Sequence, residues 1–246
     1  MTAEQPTRRT LISSIAGASI LGVADLAHAA ERTLAPGADT GRDAEVSPKS
    51  KQIGIVLFDE FETLDVFGPV QMWGRLAEHG LSFVSADGRP VRSSQGVQIM
   101  PDRSFASAPQ FDVLMVPGGT GTRRLVDNDA LLAFVRRQDK GTSWTTSVCT
   151  GAAILAKAGV LDGRAATTNK LAFDWVESQS GRVDWRPRAR WVVDGKYVTS
   201  SGVSAGTDMA LALVARLYGR AAADAAAKLA EYRWNDDPEN DPFAIA

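Results

Sequence analysis

Thiols and imidazoles are scarce in this chain. A single cysteine, Cys149, excludes an internal disulfide and the clustered-cysteine zinc and iron–sulfur sites. Two histidines, His28 and His79, are too few for a multi-histidine metal centre. No metal is therefore expected, and the chemistry expected below requires no organic cofactor. Neither sign of charge dominates. Lys and Arg number 27 against 29 Asp and Glu, a net charge of −2, which gives no electrostatic case for a nucleic-acid or anionic-membrane partner. Internal repeats and low-complexity tracts are missing. What is present is ordinary globular material. The chain is 44% hydrophobic and 23% charged over 246 residues, a length that suits one large domain or two small ones.

The first residues read as an address. Arg8-Arg9 precedes an apolar run from Leu11 to Leu26, diluted with Ser, Gly and Ala and ending in Ala27-His28-Ala29. This pattern resembles a twin-arginine export signal over residues 1–29, cleaved after Ala29. The mature protein would be periplasmic or secreted, with no stable membrane association once the leader is gone. An uncleaved membrane anchor is the other reading, and Gly22 and Asp25 interrupt the run and weigh against it. Cleavage would leave His79 as the sole histidine. Residues 30–51 mix Pro, Gly and charge without periodicity and read as a flexible linker.

From Gln52 the pattern changes. Gln52–Phe58 and Phe111–Val116 are short continuous apolar runs, the signature of strands buried on both faces. Leu81–Ser85 is a further strand, and Val91–Met100 and Trp191–Thr199 carry hairpin signals, the second turning at Asp194-Gly195. Helices are expected from about Pro69 to His79, over 129–138, after Cys149, over 171–178, over 204–218 and over 221–232. His79-Gly80 reads as a helix end and His79 as structural. Strands alternating with helices predict a single α/β domain over 52–246, with a doubly wound, mostly parallel sheet in a flavodoxin-like three-layer sandwich. Ligands bind such sheets at the carboxyl edge of the strands.

Three features follow predicted strands and so converge on that edge. Asp65 is an acid in an apolar setting, although its spacing favours a helix N-cap over a site role. Pro117-Gly118-Gly119-Thr120-Gly121 is a glycine turn. No Lys-Ser/Thr follows it and its spacing fails the dinucleotide fingerprint, so an oxyanion or substrate-backing turn is the better reading. Ser147-Val148-Cys149-Thr150-Gly151 puts the cysteine at a strand-to-helix corner over a helix N-terminus, where backbone N–H groups favour a thiolate. The pentapeptide alone leaves a buried structural thiol equally open.

The order Leu64-Asp65-Val66-Phe67-Gly68-Pro69, Val116–Gly121, Ser147–Gly151 and Ala165-Ala166-Thr167-Thr168 resembles the ThiJ/PfpI superfamily of glutamine-amidotransferase-like proteins. Within it the chain looks most like the isonitrile hydratase branch, which has an aspartate in a Leu-Asp-x-x-Gly-Pro context and a cysteine followed by Thr-Gly. Glu231-Tyr232 and Pro242-Phe243 are similar to that branch's tail. The resemblance implies Cys149 as nucleophile, Asp65 as its acidic partner, and Thr150, Gly118 and Gly119 lining the substrate pocket. It also implies a homodimer acting on a small molecule. One position departs: where many members carry a histidine twenty residues after the cysteine, this chain has Asn169. That departure argues against protease- and amidotransferase-like activity.

The expected chemistry is a lyase reaction, the hydration of an isonitrile to an N-substituted formamide through a Cys149 thioimidate, with Asp65 as general acid and base. Three alternatives compete. They are a glyoxalase- or hydrolase-like activity of the same cysteine, a non-enzymatic redox sensor or stress protein, and the ligand-sensing module of a transcription factor. Relatives of the last kind append a helix-turn-helix domain, for which the chain has no room after the predicted helices.

Overall fold

Gly68 shows how closely this structure is packed. In the computed structural model, which describes residues 51–74, 76 and 79–244, a Cβ on Gly68 would sit 2.3 Å from Thr207 Oγ1. The helix carrying Gly68 therefore lies directly on the helix carrying Thr207. The predicted leader and all of the predicted linker except Lys51 lie outside the described residues.

The chain opens with strand β1 (Lys51–Val56), helix α1 (Thr63–Trp73) and strand β2 (His79–Ser85). Short strands β3 (Val91–Arg92), β4 (Gln98–Ile99) and β5 (Arg103–Ser104) follow. Next come β6 (Val113–Val116), the single turn α2 (Thr122–Leu125), α3 (Asp129–Asp139), β7 (Trp144–Val148) and α4 (Gly151–Lys157). Then β8 (Ala165–Ala166), α5 (Phe173–Glu177) and β9 (Asp184–Trp185) lead to β10 (Trp191–Asp194), β11 (Tyr197–Ser200), α6 (Ala205–Tyr218) and α7 (Arg220–Leu229).

Seven strands form one sheet in the order β10-β11-β7-β6-β1-β2-β5, parallel except for the β10–β11 hairpin. The apolar runs occupy its centre. Ile55 on β1 pairs with Phe83 and Met115, and Ile53, Ile55, Val56 and all of Val113–Val116 are buried. The burial of both faces is what makes those runs continuous rather than alternating. Helix α6 packs against α1 and α7, while α3 packs against α4. The result is the expected doubly wound sandwich. α3 starts where its cap dictates, with Asn128 Oδ1 accepting from the Leu131 N–H.

Several expectations need correction. α1 does not reach His79. It stops at Trp73, where the Gly74 N–H bonds Val70 O, and His79 opens β2 in parallel register with Lys51. α1 also starts earlier than expected, so that Asp65 lies inside it and Pro69 interrupts it, removing the donor that would reach the Asp65 carbonyl. Strand β5 and helix α2 are too short to leave a periodic signal.

Gly68→Ala should therefore cost about 1–3 kcal/mol, because the added methyl must displace the Thr207 hydroxyl at the α1–α6 contact. Urea unfolding monitored by tryptophan fluorescence measures this, and an unchanged midpoint would contradict the packing.

Candidate active site

β7 ends at Val148, and the chain must turn sharply to start α4 at Gly151. Cys149 takes the turn with φ of 57°, a left-handed conformation that side-chain-bearing residues rarely adopt. The surroundings hold it there. Its N–H donates to Ser200 O and Ser201 O at 3.2 and 3.3 Å, and its C=O accepts from Thr168 Oγ1 at 2.8 Å.

Asp65 arrives from the other side, out of the first turn of α1. It caps nothing. The residue at the N-cap is Glu62, which makes no side-chain cap bond. Instead the carboxyl is completely buried and turned toward the glycine turn, with Oδ2 accepting from the Gly118 N–H at 2.8 Å. Oδ1 is buried without any hydrogen-bond partner. Burial pushes the Asp65 pKa well above the usual carboxylate range. The nearby Glu62 charge adds to this, while the Gly118 N–H and the Cys149 thiol oppose it.

The cysteine is pushed the same way. Burial first, then the charge of Asp65, raise the Cys149 thiol well above its ordinary value, against the pull of the Thr150 amide and hydroxyl and the Asn169 amide. This corrects the expectation of a thiolate stabilised by its perch. The perch exists, but α4 has only seven residues and desolvation outweighs its N-terminal amides. Two acids side by side, each raised by burial, form a pair that resists a second negative charge.

The glycine turn also departs from expectation. Gly118 and Gly119 sit beside Cys149 and Thr150, yet their N–H groups are already committed. Gly118 donates to Asp65, and Gly119 donates to Thr150 Oγ1 at 3.1 Å. Neither is a free oxyanion donor. The turn instead aims the carboxyl and fixes Thr150, whose hydroxyl also accepts from Thr122 Oγ1 at 3.0 Å. Gly119 has φ of 126°, and a Cβ there would lie 2.2 Å from Glu60 O, so no other residue fits.

The donors that do face the sulfur come from Thr150 and Asn169. Asn169 Oδ1 accepts from the Ala172 N–H at 3.0 Å, which turns the NH2 group toward Cys149. An amide there can donate to sulfur but cannot take its proton. Asn169 stood out in the sequence only as the missing histidine, and Gly202, whose Cβ would lie 3.2 Å from Cys149 Sγ, not at all. Among the described residues no group of three or more His, Cys, Asp or Glu side chains is placed to hold a metal ion. A cavity of about 320 Å³ between Phe58 and Phe105 is lined by neither Cys149 nor Asp65.

The model of the DJ-1/PfpI family matches residues 51–216. An isonitrile hydratase from Pseudomonas putida is 38% identical over 168 residues, covering 68% of this chain and 72% of that protein. The HTH-type transcriptional regulator GbdR of Pseudomonas aeruginosa is 32% identical over 76% of this chain, which spans only 51% of the regulator. Among solved structures, a ThiJ/PfpI family protein from Pseudomonas syringae superposes with a TM-score of 0.67 at 31% identity, covering 82% of this chain and 84% of that one.

Asp65→Asn separates the two effects of the acid. Losing the neighbouring charge should lower the Cys149 pKa, so thiol alkylation begins at lower pH than in wild type. Stability should move as well. A carboxyl whose folded pKa is raised contributes stability that is complete below the ordinary aspartate range and is lost as pH rises through the folded value. The variant should therefore be about 1–3 kcal/mol more stable than wild type at neutral pH, with the gap closing in acid. Thermal melts across pH test this, and a variant less stable at neutral pH would contradict the raised carboxyl.

Proposed function

The chain belongs to the DJ-1/PfpI family, and from that premise we propose that it hydrates isonitriles to N-substituted formamides, with Cys149 as nucleophile and Asp65 as general acid and base. The observation that carries the reading is the fully buried carboxyl of Asp65, raised by desolvation and beside a thiol that has the amide of Asn169 as a neighbour. A carboxyl raised by burial holds a proton to higher pH than an ordinary aspartate and so can serve as a general acid.

The terminal carbon of an isonitrile accepts a nucleophile and a proton in turn. Cys149 sulfur forms the S–C bond as Asp65 protonates that carbon and the thiol proton returns to the carboxyl. The product is a thioimidate. Asp65 then gives its proton to the imine nitrogen and takes one from water as the oxygen adds to the same carbon, leaving a carbinol hydroxyl whose proton later passes to sulfur. Rupture of the C–S bond releases the formamide, and the proton regenerates the thiol. One water is consumed and no redox change occurs. Thr150 and Asn169 donate toward the sulfur as it carries charge. The 38% identity to an isonitrile hydratase supports the substrate class.

Other activities fit less well. Oxidative sensing favours an exposed, low-pKa thiol, and here the thiol is 6% exposed and raised. Protease-like chemistry lacks its base at Asn169. The exposed apolar side chains of Leu64 and Phe67, beside Asp65, and of Leu171, two residues after Asn169, support a homodimer that covers the mouth of the site. The Arg8-Arg9 leader supports export to the periplasm.

Purified protein incubated with a panel of isonitriles should release the matching formamides, while 2-oxoaldehydes stay unconsumed. Cys149→Ala should abolish turnover, and Asp65→Asn should lower kcat by at least about a hundredfold. Turnover in Cys149→Ala near the wild-type rate, or consumption of 2-oxoaldehydes in place of isonitriles, would overturn the assignment.

A further inference from the structure

Four charged side chains, Lys170, Arg190, Asp208 and Asp241, are buried together away from Cys149, each no more than 4% exposed. Two are cations and two are carboxylates, so the group is electrically balanced. Arg190 Nε donates to Asp208 Oδ2 at 2.8 Å, and Arg190 Nη1 lies 3.8 Å from Asp241 Oδ1. Lys170 Nζ donates to Thr167 Oγ1 at 2.8 Å and to Ala189 O at 2.6 Å. Burying four charges is costly, and balanced clusters of this kind persist where they fix geometry.

Here the geometry in question is that of the last segment of the chain. Beyond α7 the tail has no regular structure, yet it is bound at both ends of its course. The Tyr232 hydroxyl and the Asn235 N–H donate to Asp208 Oδ1 at 2.9 and 3.0 Å, and Trp234 Nε1 donates to Asp208 O at 3.2 Å. Arg190 N–H donates to Pro238 O, and Asp241 N–H to Arg188 O. From this clasp two short paths lead to the nucleophile. Arg190 O accepts from the Ser201 N–H at 2.8 Å, and Ser200 O and Ser201 O accept from the Cys149 N–H. Lys170, anchored to Thr167, adjoins Asn169 and follows Thr168, whose hydroxyl holds the Cys149 carbonyl.

We propose that the C-terminal segment from Tyr232 to Asp241 is a positioning strap for Cys149, with Asp241 as the counter-charge that keeps Lys170 and Arg190 buried. Through Arg190 the strap clamps the backbone that receives the Cys149 amide. Through Lys170 it fixes the segment that presents Asn169 to the sulfur. None of the four charged groups touches the sulfur, so their role is positional.

The electrostatics agree. Lys170 is lowered to about 8 by burial first, with Asp241 pulling it up and Arg190 pushing it down. Without the Asp241 charge the amine falls further and is increasingly neutral at neutral pH. It then holds Ala189 O and Thr167 more weakly.

The proposal rests on Cys149 being the reactive group, and its test reads the thiol directly. Cys149 is the only cysteine, so alkylation by iodoacetamide, followed by mass spectrometry across pH, reports on it alone. Wild type that neither turns over isonitriles nor alkylates in the folded state would overturn the nucleophile assignment and the strap with it. Asp241→Asn should change the alkylation rate by at least about threefold and shift the pH midpoint, well below its melting temperature. Asp241→Glu should restore part of the wild-type profile, and Phe243→Ala, at an exposed tail position, should leave it unchanged. Coincident profiles for wild type and Asp241→Asn, with only a lowered Tm, would overturn the proposal and leave the tail a purely structural clasp. If Asp241→Asn does not fold, Tyr232→Phe carries the same test with the same two outcomes.

Discussion

Two acids buried side by side cannot both ionise, and the arrangement around Cys149 and Asp65 follows from that constraint. Desolvation raises each group, and the charge of one raises the other. A site of this kind is poor at presenting a free thiolate. It is well suited to passing a proton between sulfur and oxygen while an electrophile arrives. The single Gly118 N–H on Oδ2 holds the carboxyl in place without donating enough to make it a strong acid, and Oδ1 has no such donor. A second backbone donor at Oδ1 would lower the carboxyl and remove its capacity to deliver a proton near neutral pH.

The fold supplies this pairing from three separate strand ends. β1 sends the chain over one face into α1, which carries Asp65. β6 ends in the glycine turn, and β7 ends at Cys149. Because β6 lies between β1 and β7, its turn sits between acid and thiol and touches both. The motif glycines are thus explained by contact rather than by catalysis. Gly68 lets α1 lie on α6, Gly119 lets the turn pass Glu60, and Gly118 packs against Cys149 Cβ.

Much of this was legible in the residues. The buried strands announced themselves as apolar runs, α6 by its period, and the cysteine corner by its small neighbours. Asp65 was harder to read, because an acid near a helix start has an everyday explanation as a cap, and spacing cannot say which way a carboxyl points. The glycine N–H groups are hard to read for a related reason. A pattern of glycines shows that backbone can come close, but not whether a side chain from elsewhere has already claimed the donors. The balance at Cys149 was out of reach as well. A helix N-terminus can be read locally, whereas the burial that overrides it is contributed by residues as distant as Gly202. α2 and β5, of four and two residues, are shorter than any period that could reveal them.

Asn169 ties these points together. A histidine in its place would accept the thiol proton and leave a thiolate–imidazolium pair, with no need for a raised carboxyl. An amide with its oxygen pinned by Ala172 offers only N–H, so it can steady charge on sulfur but cannot create it. In the proposed reaction, proton movement is thereby left to Asp65. A reaction whose electrophile needs a proton on the very carbon under attack suits such a site. A reaction that must expel an amine or alkoxide usually relies on a base such as imidazole that cycles freely. In the proposed reaction the replacement at one position and the elevated carboxyl at another are therefore two sides of a single division of labour: the amide stabilises, and the acid transfers.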